Sequence, residues 1–112
     1  MTYVSQAKEQ KTPDFNKIVD AIYKAEGGAK AKYAYGIVSV KYKDKNDARR
    51  ICLNTVKNNY ARWQKKGGKG DFLVYLQKIY CPVGANNDLG TNKFWLENVR
   101  FFLRKQSTRA KV

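Results

Sequence analysis

Apolar residues recur at helical spacing in four blocks of this chain, and three of those blocks close on glycine or proline. A chain punctuated in this way can pack helices against one another, but it has little material for an extended sheet. At 112 residues it suits one domain with a modest core.

The first block is announced by Thr12, Pro13 and Asp14, which read as a hydroxyl cap, a proline whose missing N–H costs nothing in the first turn, and an acid favoured by the helix dipole. Phe15, Ile18, Val19 and Ile22 form its stripe, and Gly27 with Gly28 ends it. Residues 1–11 show no sustained period and read as a loose lead-in. Between Lys30 and Lys45 the pattern turns β-branched and aromatic, "YAYGIVSVKYK", and predicts one short strand or ribbon. A second helix is expected from Asn46 or Asp47, with Ala48, Ile51, Cys52, Thr55, Val56, Tyr60 and Trp63 on its apolar face, until "KKGGKG" breaks it. Asp71 caps a third, marked by Phe72, Leu73, Leu76, Ile79 and Tyr80 and stopped by Pro82. A fourth starts at Thr91 and carries Phe94, Trp95, Val99, Phe102 and Leu103. Residues 106–112 read as a basic tail beyond a domain spanning 12–105. The expected fold is therefore mainly α, or α+β with one small β element, with Trp63 and Trp95 read as core.

Charge narrows the partners. Lys and Arg number 23 against 9 Asp and Glu, a net +14, so a polyanion is expected: nucleic acid, anionic lipid or anionic wall polymer. The absence of histidine removes Ser-His-Asp and Cys-His catalysis and imidazole metal sites, leaving carboxylate chemistry; no metal or cofactor is expected. Cys52 and Cys81 stand among apolar neighbours, away from CxxC spacing, and read as buried free thiols. No N-terminal apolar run resembles a signal peptide, and no segment has the length of a membrane span. A monomer made in the cytoplasm is expected.

One acid stands apart. On a helix of about 100° per residue, Glu26 projects about 20° from Phe15, on the apolar side, while Lys17, Asp20 and Lys24 supply the polar face. Burial there would raise its pKa, which suits an acid that must protonate a leaving glycosidic oxygen. Equally, it could be an edge residue paired with Lys30, Lys32 or Arg49. Asp44, 18 positions on, could serve as nucleophile, water base or electrostatic stabiliser, or simply cap a helix in "KDKND". Asn86, Asn87, Asp88 and Asn92 have amides and carboxylates suited to sugar hydroxyls, and Tyr33, Tyr35 and Tyr80 could stack on sugar rings. The same residues also suit a turn and ordinary packing.

A helix ending in glutamate, then a glycine-containing loop and "YGI", followed by "NNYARW", "YCPVGANND" and "NKFWLENV", resembles the small lysozyme-like domains of phage endolysins and lytic transglycosylases over most of Phe15–Leu103. The resemblance implies that Glu26 is a general acid at a cleft and that Tyr35, Gly36, Val38 and Ser39 lie in the segment lining the sugar groove. Gly27 stands where the family usually has serine, and Val38 or Ser39 where it has glutamine. It also implies cleavage of peptidoglycan between N-acetylmuramic acid and N-acetylglucosamine, by hydrolysis or by an intramolecular route, at the cell wall after release or as part of a virion. A basic nucleic-acid-binding protein is the competing class, supported by the "KKGGKG" loop, the basic tail and the lysines interleaved with tyrosines in 30–45. A non-catalytic structural protein of a virion would also fit the size.

Overall fold

The structure, a computed structural model, describes residues 12–38, 40–85 and 90–110, with side chains up to residue 106. Among the described residues four α-helices make the fold: α1 (Phe15–Ala25), α2 (Lys45–Lys65), α3 (Phe72–Tyr80) and α4 (Trp95–Ala110). Each of the first three starts on an aspartate whose carboxylate accepts amides left unbonded at the helix start. Asp14 accepts from Asn16 and Lys17, Asp44 from Asp47, and Asp71 from Leu73. The cap of α1 is thus Asp14 rather than Thr12, because a capping side chain must reach the second or third helical amide and Thr12 stands two residues too early. For the same reason α2 begins at Lys45, slightly before the expected start.

The core forms where the stripes meet. Ile18, Val19, Ala21 and Ile22 of α1 pack with Ala48, Cys52 and Val56 of α2, Phe72 and Leu76 of α3, and Trp95 and Val99 of α4. Trp63 is a half-buried flank of that core, its ring 5.6 Å from that of Phe72. Its indole N–H donates to the Lys69 carbonyl at 3.2 Å, folding the glycine-rich loop back on α2. Asn59 is the one buried polar side chain of the described core; it donates to the Thr55 carbonyl at 2.8 Å and accepts from Arg62.

Two expectations change. The segment before α2 holds no strand among the described residues. It is built from 3₁₀ turns at Gly28–Lys30 and Ala34–Gly36 with extended backbone after them. Tyr35 (φ 59°) and Gly36 (φ 70°) are both left-handed, which breaks a strand, and their neighbours bond locally, Gly36 N–H to the Tyr33 carbonyl and Ile37 N–H to that of Ala34. The fourth helix, in turn, continues to Ala110 instead of fraying after 105, since nothing between Trp95 and Ala110 is glycine or proline. Gln106 joins it to α1 by donating to the Lys17 carbonyl at 3.0 Å. None of the helices among the described residues is long and apolar enough to cross a membrane.

Candidate active site

Glu26 is the C-terminal cap of α1, its amide bonded to the Ile22 carbonyl at 2.9 Å. Gly27 (φ 111°) then turns the chain away, leaving the side chain at the edge of the core. The carboxylate is half-buried on a cleft of about 450 Å³ that it shares with Lys32, Tyr33, Gly36, Val38, Tyr80, Cys81, Pro82 and Asn92.

Two neighbours fix the carboxylate. The Trp95 indole N–H donates to Oε2 at 3.1 Å, and Gly36 lies so close that a β-carbon there would stand 2.6 Å from Cδ and 2.7 and 2.8 Å from the two oxygens. Any larger residue here would have to push the carboxylate aside and adopt a left-handed backbone, so glycine suits the position for reasons of space as well as backbone. Burial holds the Glu26 pKa above its ordinary 4.5, while the Trp95 hydrogen bond pulls the other way. The C-terminal end of α1 carries partial negative charge, which also disfavours the carboxylate. Among the described residues the ion pairs are Arg49 with Asp20, Arg50 with Asp47 and Arg100 with Asp71, so Glu26 is in none of them. Arg49, one of its expected partners, is held by Asp20 and Asn16 instead.

The wall opposite α1 is pinned through Tyr80. Its hydroxyl donates to the Tyr35 carbonyl and lies 3.4 Å from Cys52 Sγ, while its ring stacks on Trp95 with centroids 5.7 Å apart. Burial pushes the phenol well above its ordinary pKa, so the hydroxyl stays a donor. Tyr80 therefore ties the left-handed Tyr35–Gly36 turn to the tryptophan that holds Glu26. A non-glycine residue in this region costs roughly 1–3 kcal/mol and persists only when its surroundings hold it. Here Tyr35 is 3% exposed, with its ring 5.0 Å from that of Tyr23.

Of the residues singled out in the sequence, Glu26, Tyr33, Gly36, Val38, Tyr80 and Asn92 meet on one cleft, the Asn92 amide donating to the Pro82 carbonyl at 2.8 Å. Tyr35 does not offer its ring to a ligand: it is buried, and it shapes the site through its backbone. Asp44 is the cap of α2, accepting the Asp47 amide at 2.8 Å, and it lines an adjoining cleft rather than that of Glu26. Ser39, Asn86, Asn87 and Asp88 lie outside the described residues. Cys52 is a core thiol whose pKa burial pushes up to about 11, but Cys81 is only half-buried and belongs to the cleft wall. Neither is in a disulfide. No three metal-ligating side chains cluster among the described residues.

Sequence reasoning missed Trp95 as a site residue. Its one signal is chemical: a tryptophan only 4% exposed needs an acceptor for its N–H, and a half-buried carboxylate is one. No protein-family model, curated protein or solved structure matches this chain.

Proposed function

We propose that this chain is a peptidoglycan-cleaving glycosidase of lysozyme-like type, with Glu26 as the general acid. The observation that carries the reading is a carboxyl with a raised pKa on an open cleft, oriented by Trp95 and backed by Gly36. An acid whose pKa burial raises holds its proton to higher pH than a solvated glutamate, and such a proton can pass to the glycosidic oxygen as that bond breaks. Tyr33, 44% exposed on the same cleft, and Tyr80 in its lining supply the aromatic surface a sugar ring packs against. The net charge of +14 draws the protein to anionic wall polymers at long range.

With Asp44 engaged at the start of α2, Glu26 is the only carboxylate lining this cleft among the described residues. The reading therefore takes the form that needs a single protein carboxylate. Glu26 protonates the leaving oxygen, and its carboxylate then accepts the proton of the substrate's own 6-hydroxyl as that oxygen bonds to the anomeric carbon. The proton is returned, water is not consumed, and the product is an anhydro sugar. Mass spectrometry of muropeptides released from purified peptidoglycan tests this, since anhydro products lack one water relative to hydrolytic ones. Anhydro ends that appear with wild type and vanish with Glu26→Gln support the reading. Reducing ends alone would assign hydrolysis, and no release would remove the glycosidase.

A further inference from the structure

Two of the five phenylalanines stay outside the core. Phe94, in the 3₁₀ turn Asn92–Phe94 that leads into α4, is 47% exposed, and Phe101, on α4 itself, is 46% exposed. Seven positions separate them, so at about 100° per residue they project within about 20° of one another, with exposed Asn98 between them and exposed Lys105 one turn beyond. Each ring carries a cation. The Lys93 ammonium stands 5.2 Å from the centroid of the Phe94 ring and that of Lys105 5.7 Å from the Phe101 ring. Neither lysine belongs to the described ion pairs. Glu97, also exposed, is the one acid in a helix whose sequence holds Arg100, Arg104, Lys105 and Arg109.

A single exposed apolar side chain is ordinary, but two on one line, each beside a cation, form a surface with a preferred occupant. We propose that this side of α4 docks on the surface of an anionic lipid bilayer, with Phe94 and Phe101 entering the boundary between headgroups and acyl chains and Lys93 and Lys105 meeting the lipid phosphates. The proposal does not depend on the glycosidase reading. Charge complementarity selects the occupant: a second copy of a chain carrying +14 would be repelled, and a nucleic-acid base would need the ring faces over which the two ammonium groups already stand. A bilayer takes the phenyl rings into its apolar boundary, while the long lysine stems leave their charges in water beside the phosphates. Since no helix among the described residues can cross a membrane, α4 lies along the surface.

Flotation with vesicles of phosphatidylglycerol and phosphatidylcholine, against vesicles of phosphatidylcholine alone, tests the docking. Binding to the anionic vesicles only is expected, weakened about ten-fold by Phe94→Ala combined with Phe101→Ala. Lys93→Ala and Lys105→Ala should each cost about five-fold, and together more than Lys41→Ala with Lys57→Ala, two exposed lysines on other elements. Phe101→Trp keeps an aromatic ring in place and reports its depth: vesicles brominated on their acyl chains are expected to quench its added fluorescence. Equal losses from the two lysine pairs, or phenylalanine variants that bind as wild type does, would mean that net charge alone holds the protein, and would overturn the proposal. So would an unquenched Phe101→Trp protein, or a wild type that floats with neither vesicle.

Discussion

The indole N–H of Trp95 meets the carboxylate of Glu26 at 3.1 Å although 69 positions separate them in the chain. The bond joins the start of α4 to the end of α1, so the residue read as core packing also holds the candidate acid.

Trp95→Phe keeps most of the packing volume but removes the donor. Without the bond that favours the carboxylate, the Glu26 pKa rises further from its ordinary value, and the alkaline limb of the pH–activity profile moves to higher pH. Losing a hydrogen bond to an ionised group costs roughly 1.5–3 kcal/mol. A titration of activity against pH for both proteins measures the shift; an unmoved limb would show that Trp95 does not govern the acid.

Gly36→Ala drives a β-carbon into the Glu26 carboxylate while forcing a left-handed backbone on alanine. The carboxylate is the end of a flexible side chain and can give way, so the fold survives with a loss of about 1–2 kcal/mol. Activity suffers more, by about 100-fold, because a displaced acid no longer reaches the scissile oxygen. Urea denaturation and lysis assays on one preparation separate the two effects.

The thiols should react in order. Cys52 is fully buried with its pKa pushed up to about 11, whereas Cys81 is half-exposed on the cleft. Iodoacetamide on the native protein is expected to give a single adduct at Cys81, with Cys52 modified only in denaturant, and peptide mapping reads the sites.

Local chemistry explains what could be read from the sequence. Helix α3 was legible from Asp71 to Pro82 because its cap, its stripe and its stop all lie within one segment. Glu26 was legible as a core-side acid by angle alone. The supposed strand failed because Tyr35 takes a left-handed conformation, which its own sequence does not demand. Tertiary partners impose it: the Tyr80 hydroxyl on its carbonyl and the Tyr23 ring against its side chain. The role of Trp95 was hidden for the same reason, as its acceptor is distant in sequence. Asp44 was the reverse case, since its neighbours in "KDKND" already described a helix cap.

Stability should carry the signature of the shielded acid. Because the folded-state pKa of Glu26 is raised, the native protein retains a proton that the unfolded chain releases above about pH 4.5. The contribution of Glu26 is complete below that pH and is lost as pH climbs through the folded-state value. Glu26→Gln, which cannot ionise, is expected to melt with wild type in acid and progressively above it towards neutrality. Thermal melts across that range give the comparison; a constant difference would mean that the carboxyl is not shielded.

The most direct measurement is muropeptide release from purified peptidoglycan by wild type and by Glu26→Gln, with wall binding recorded on the same samples. Release by wild type, none by Glu26→Gln, and equal binding by both is the expected result. Release that survives Glu26→Gln would contradict the assignment of the acid. No release by either protein at any ionic strength, together with salt-sensitive binding of nucleic acid, would contradict the glycosidase itself.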